Sequence, residues 1–221
     1  MKILIKFPSR GRVDRFFSAL DACVSNIQDK ANYHVSFTLD SDDPVMNNDN
    51  VVARLMEYDN VSIGWGKSKS KVDAINRSMP DIEWDILVNL SDDQFFNIYG
   101  WDTMVRVEMA NHFPDGDGYL HFQEKDSMSA LCVQTICDKK YYDRFGYIYH
   151  PAYKSLFCDN EQFLVAKKLG RYIYIPYEIM THSNPAYGYL PKDEMFLKQQ
   201  EIGYTIDQQT FIERQAKDFD L

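Results

Sequence analysis

Asp92 and Asp93 stand side by side directly after a short apolar run, Ile86-Leu87-Val88-Asn89-Leu90, with Ser91 between run and pair. Neighbouring carboxylates repel each other, so the pair calls for a compensating charge, and hard oxygen donors suit a divalent cation such as Mg²⁺ or Mn²⁺. A second acid cluster, Asp40-Ser41-Asp42-Asp43, follows the apolar stretch 33–39 in the same way. Cations occupy comparable places: Arg10 and Arg12 within Pro8-Ser9-Arg10-Gly11-Arg12, and Lys67, Lys69 and Lys71 within Gly64-Trp65-Gly66-Lys67-Ser68-Lys69-Ser70-Lys71. Carboxylates able to hold a metal, together with cations able to face phosphate, are the parts of a site for a phosphorylated small molecule. The plainer reading of either acid cluster is a turn after a strand, where Ser and Asp are common.

The elements that must position these residues can be read from periodicity. Residues 2–7, 33–39, 61–63 and 85–90 are short apolar runs of strand length, and the last is apolar enough to be covered on both faces. Between them, Val13, Phe16, Phe17, Leu20, Val24 and Ile27 recur at helical spacing, as do residues 51–58 and then Val72, Ile75 and Met79, the last group capped by Ser68 or Ser70. Strands alternating with helices make a parallel sheet with right-handed crossovers. Ligands bind such sheets outside the carboxyl ends of the strands, where the acids and cations fall. Gly64 to Lys71 reads as a flexible basic segment.

The second half has another rhythm. Trp101, Met104, Val105 and Met109 mark a helix; 119–122 and 130–136 read as strands suited to antiparallel pairing; 138–144 is a short helix. A further helix opens at Asp159-Asn160-Glu161, with Asp159 in N-cap position and Gly170 as its stop. A strand over 172–175 ends at Pro176, His182 follows in a loop, and two polar helices over 192–202 and 207–219 close the chain. No internal repeat or low-complexity linker interrupts it. The expectation is one α/β domain, 1–221: a nucleotide-binding half to about residue 100, a mixed half over 101–190, and a helical tail over 191–221.

Composition narrows the partners. Of 221 residues, 45% are hydrophobic, which suffices for a sizeable core, and the formal net charge is -9. That balance argues against nucleic acid as a partner, which would demand a basic stripe, while leaving room for a local basic pocket. Cys23, Cys132, Cys137 and Cys158 form no CxxC pair and no zinc-finger spacing, so free thiols in a reducing compartment are expected. The N-terminal apolar run is too short for a signal peptide, and no stretch approaches the ~20 apolar residues that cross a bilayer. A cytoplasmic location without a transmembrane segment is the default expectation.

The order strand–Pro-Ser-Arg-Gly-Arg, strand–Asp-Ser-Asp-Asp, Gly-x-Ser-x-Ser-Lys-x-x-Ala-x-Asn, strand–Ser-Asp-Asp resembles the nucleotide-sugar half of GT-A fold glycosyltransferases, most nearly glycosyltransferase family 2. The resemblance covers about residues 1–185, most fully 1–100, and implies a three-layer α/β/α sandwich with a mainly parallel N-terminal sheet and a mixed C-terminal half. It implies nucleoside contacts from Pro8, Ser9, Arg10 and Arg12, and base or ribose contacts from Asp40 and Asp42. Donor contacts are implied for Lys69, Lys71 and Asn76. The family's metal-holding Asp-x-Asp motif falls on Ser91-Asp92-Asp93, with Ser91 replacing the first acid. Asp93 is then the implied ligand of Mn²⁺ or Mg²⁺, with Asp92 on sugar or ribose and a late His, His182, completing the coordination. The implied general base is Asp159, with Glu161 second, although N-capping and a favourable helix-dipole contact account for the two acids equally well.

The resemblance implies metal-dependent, inverting transfer of a sugar from a UDP- or GDP-type donor to an acceptor that the sequence leaves unidentified. Two other readings stay open. A sugar-phosphate nucleotidyltransferase would share the layered sheet and metal, but usually has a Gly-rich loop with a Lys after the first strand, where this chain has one Gly and no Lys. A relative that binds nucleotide-sugar without catalysis is favoured only by Ser91.

Overall fold

The computed structural model describes residues 1–124 and 131–221. β1 (Ile3–Ser9), β2 (Tyr33–Asp40), β3 (Val61–Gly66) and β4 (Ile86–Asn89) alternate with α1 (Val13–Ser25), α2 (Asp49–Leu55) and α3 (Lys71–Asn76). Then follow β5 (Gln94–Phe95), α4 (Trp101–His112), β6 (Tyr119–Gln123), β7 (Ile136–Asp138), α5 (Lys139–Asp143), α6 (Cys158–Lys168), β8 (Tyr172–Glu178), β9 (Thr181–His182), α7 (Glu194–Ile202) and α8 (Gln208–Ala216).

Among the described residues the main sheet has seven strands in the order β3-β2-β1-β4-β7-β6-β8. The first four run parallel, β7 is antiparallel to both β4 and β6, and β8 is parallel to β6. Strand alternation sends Ile3, Ile5, Phe7, Ile86 and Val88 to one face, where Phe16 and Leu20 of α1, Val51 and Leu55 of α2, and Trp101 and Val105 of α4 cover them. Leu4 and Leu87 point to the other face, under Val72 and Ile75 of α3, Tyr141 of α5, and Cys158 and Ala166 of α6. Helices on both faces of one sheet make the three-layer sandwich expected from the alternating rhythm.

Four local expectations need correction. β3 does not stop at Ile63 but continues to Gly66 in register with β2. Gly64 is required there by close approach, since an added Cβ would lie 2.3 Å from Cβ of Ser78. The strand expected over 130–136 is confined to Ile136–Asp138, and Ala130 lies outside the described residues. β8 passes through Pro176 without harm, because the residue falls in the irregularity between the pairs Phe122–Ile175 and Gln123–Glu178, where it has no ladder partner. Asp159 is not the N-cap of α6: Phe157 holds that position at φ 62° with no side-chain cap. Ser70, by contrast, does cap α3, accepting from the Asp73 amide at 3.1 Å.

The two polar helices are joined by a π-turn over Gly203–Asp207 and are pinned to the second half. Buried Asp207 accepts the backbone amides of Lys154, Ser155 and Leu156 at 2.8, 2.6 and 2.8 Å. The cysteines are free and buried. Among the described residues no helix is long and apolar enough to cross a membrane.

Candidate active site

Parallel pairing aligns the carboxyl ends of β1, β2 and β4, so the loops that follow them share one rim. After β4 the chain turns sharply: the Gln94 amide donates to Ser91 C=O at 3.1 Å, and the Ser91 amide donates to Oε1 of Gln94 at 3.0 Å. This turn presents Asp92 and Asp93. Ser91 Oγ donates to Oδ1 of Asp93 at 2.7 Å, so the residue standing where an acid was expected orients its neighbour instead.

A two-stranded ribbon brings in the histidine. β5 and β9 pair antiparallel with Gln94 opposite His182, and the Ser183 amide donates to Asp93 C=O at 2.8 Å. His182 Nε2 therefore stands 3.5 Å from Oδ2 of Asp93. Its Nδ1 donates to Oε2 of Glu124 at 3.1 Å, and the Glu124 side chain is only 1% exposed. Across the rim, Arg12 reaches Asp92 at 3.3 Å. Lys71, at the start of α3, is close enough that its charge favours the ionised forms of Asp92, Asp93 and Asp159.

The acids are electrically unequal. Burial pushes Asp93 up, but the hydrogen bond and charge of His182 and the Ser91 hydroxyl outweigh it and hold Asp93 well below the usual carboxylate range. Burial also pushes Asp92 up, and there Arg12 offsets it only in part. Asp159 is raised by burial against the opposing pull of Lys71. Its carboxylate accepts the adjacent Asn160 amide at 3.0 Å, and burial leaves it a comparatively basic group. Burial pushes His182 down, yet the two flanking carboxylates carry it up to about 9.

Other expected residues have different employments. Asp40 is buried and fully engaged: Arg10 at 2.8 Å, Arg77 at 2.9 Å, and the amide and hydroxyl of Ser68. It ties the loops after β2 and β3 together at the edge of the rim. Asp42 pairs with Arg10 at 2.7 Å and Lys67 at 3.4 Å. Pro8 and Ser9 end β1, partly exposed at the same edge. Lys69 is exposed, and its backbone amide donates to Oδ2 of Asp73 at 2.8 Å.

Asn76 was expected on the donor, but its amide group is used up by the loop before α6. It donates to Tyr149 C=O at 2.6 Å and accepts the amides of Ile148 and Tyr149 at 3.0 Å each. Glu161, expected as a second base, points elsewhere because residues two apart on a helix face roughly opposite ways. It is buried against Arg214 at 2.7 and 2.8 Å and the Tyr153 hydroxyl at 2.7 Å.

Glu124 and Asp193 were not singled out in the sequence. Glu124 directly follows β6, the same strand-end position that marked Asp40 and Asp92, so a signal for it existed. Asp193 caps α7 and grips Arg12 with both oxygens, at 2.8 and 2.7 Å, a contact spanning 181 residues that no local pattern announces.

No three His, Cys, Asp or Glu side chains converge as a metal-binding group among the described residues. Asp93 and His182 are two side chains of ligand type standing together. That donor set fits a cation carried largely by phosphate oxygens rather than one caged by protein, the habit of Mg²⁺ in nucleotide sites.

No protein-family model matches the chain, and no curated protein matches it in sequence. Solved structures do. Staphylococcus aureus TarS 1-349 aligns with 91% of this chain and 69% of its own at TM-score 0.63 and 13% identity. The mannosyltransferase PcManGT of Pyrobaculum calidifontis, in complex with GDP-Man and Mn²⁺, aligns with 85% of this chain at TM-score 0.68 and 13% identity. This chain spans 58% of that enzyme's length. Glucosyl-3-phosphoglycerate synthase of Mycobacterium tuberculosis, in complex with Mg²⁺ and UDP, aligns with 91% of this chain and 76% of its own at TM-score 0.59 and 11% identity. At such identities the likeness is one of architecture, and the chain has the GT-A glycosyltransferase fold.

Proposed function

We infer that the protein is a glycosyltransferase that takes a sugar from a UDP- or GDP-type donor, with a divalent cation, and inverts the anomeric centre. One observation carries the reading: Arg12, Lys71, Asp92, Asp93, His182 and Asp159, drawn from five separate segments, act on one another at a single rim. Expulsion of a nucleoside diphosphate needs its developing negative charge neutralised, and an acceptor hydroxyl needs a base.

Arg12 and Lys71 supply positive charge toward the diphosphate. Asp93, oriented by Ser91, and His182 would hold Mn²⁺ or Mg²⁺, which when bound supplies Lewis-acid stabilisation of the leaving diphosphate. Asp92, paired with Arg12, faces ribose or sugar. Asp159 takes the proton of the acceptor hydroxyl as its oxygen bonds to the anomeric carbon and the bond to the diphosphate breaks. Its raised basicity suits it to that role. Glu161 and Asn76 belong to the scaffold.

Calorimetric titration with UDP and GDP, with and without Mn²⁺, tests the reading. Binding of one nucleotide, tightened by the metal, is expected; heat from neither nucleotide in either condition would sink it.

A further inference from the structure

We propose that Glu124 is the positioning residue of this site, holding the His182 ring so that Nε2 is directed at Asp93 and free to bind a cation beside it. The inference rests on the metal-dependent donor site proposed above. Its basis is a line of three groups. Glu124 Oε2 accepts from His182 Nδ1 at 3.1 Å, and His182 Nε2 stands 3.5 Å from Asp93 Oδ2. The ring is 8% exposed and the Glu124 side chain 1%, so water cannot take over the acceptor role. An imidazole binds metal through a nitrogen that carries no proton, and which nitrogen is bare depends on what the other one donates to. A cation entering beside Asp93 displaces to solvent the proton that Nε2 otherwise turns toward that carboxylate, and with Nδ1–H committed to Glu124, Nε2 is the metal-facing atom.

Other features agree. His182 lies on the short ribbon of β5 and β9, whose two residue pairs fix the backbone but not the ring torsion. Asn184 Nδ2 lies 3.4 Å from Nε2, a long contact that a cation would displace. Among the described residues Oε1 of Glu124 is buried with no hydrogen-bond partner, a cost that its bond to His182 offsets. Glu124 reaches the reacting region only through His182.

The test is a double-mutant cycle read by Mn²⁺ affinity in the presence of UDP or GDP, using the full chain. E124A is expected to weaken Mn²⁺ about 10- to 100-fold, the usual loss when an outer partner of a metal-bound histidine is removed. In an H182A background the same change should cost less than about twofold, because there is no ring left to hold. E124Q keeps an acceptor for Nδ1–H and should recover part of the loss. Equal losses in both backgrounds, or none in the first, overturn the proposal.

Nitrogen-15 spectra of the histidines with Mg²⁺ and nucleotide give a readout independent of catalysis. His182 should keep its proton on Nδ1 in the wild type and in E124Q. If the wild type binds no metal–nucleotide, the donor-site reading fails; the hydrogen bond of Nδ1, read from the same spectra without ligand, then decides whether Glu124 holds the ring. Should E124A not fold, E124Q against wild type carries the comparison, and unchanged Mn²⁺ affinity with a changed Nδ1 signal counts against the role.

Discussion

Two aspartates with similar surroundings in sequence have opposite characters in space. Asp159 is made more basic by burial, and Asp93 is kept ionised by His182 and Ser91. Replacing Asp159 with Asn should lower turnover about 10²- to 10⁴-fold while leaving UDP or GDP affinity nearly unchanged, as loss of a general base does. Steady-state kinetics beside calorimetry checks this, and unaltered turnover removes Asp159 from the chemistry. The acidic limb of the rate profile should sit above the ordinary aspartate value of 3.8, since burial raises this carboxyl. His182 gives a stability prediction with the other sign. Its folded pKa, about 9, exceeds the unfolded value of about 6.5, so its contribution is complete below pH 6.5 and is lost as pH rises through 9. Urea midpoints measured without metal should fall over that window in the wild type and fall less in H182Q.

At the scale of elements, the C-terminal helices form a strap across both halves. One end is bolted by Asp207 to the amides of Lys154, Ser155 and Leu156, and by Arg214 to Glu161. Asp207→Ala strands three amides and should cost about 3 kcal/mol, since hydrogen bonds to charged groups contribute about 1.5–3 kcal/mol each without adding fully. Glu161→Gln should cost about 3 kcal/mol by leaving Arg214 under-compensated, with turnover of the folded fraction preserved. Thermal melts and rates normalised to folded protein separate the two effects. The other end of the strap is Asp193, which occupies the Arg12 fork in the bidentate manner a phosphate would. Asp193→Asn should free that fork and tighten nucleoside diphosphate binding severalfold, up to the tenfold that about 1.4 kcal/mol represents. Weaker binding in this variant would mean that Asp193 builds the site rather than competing for it.

Over the whole molecule, one sheet separates two cores, and its central strands belong to both. Trp101 reports on one core and Trp84 on the other. Leu87→Ala opens a cavity beneath α3 and α6, worth about 2–5 kcal/mol, yet β4 also carries Ile86 and Val88 into the opposite core. Both tryptophans should therefore lose their native signals at one lowered denaturant concentration, coincident with far-UV circular dichroism. Two separated transitions would show that the halves fold independently.

The alternating layers and the rim were legible because apolar periodicity is a local property, and a parallel sheet obliges its strand ends to meet. Strand-end acids such as Asp92 and Asp93 could be found for that reason, and Glu124 stood in an equivalent position. What the sequence could not express was contact at long range. That Asn76 serves an aromatic loop, that Glu161 answers Arg214, and that Asp193 returns across 181 residues to Arg12 follow from how helices dock, not from any spacing. The sequence by itself determined the alternation of elements and the edge on which charge collects. Only the tertiary structure decided which carboxylates remain free for chemistry, because that depends on which side chains are already bound to partners far away in the chain.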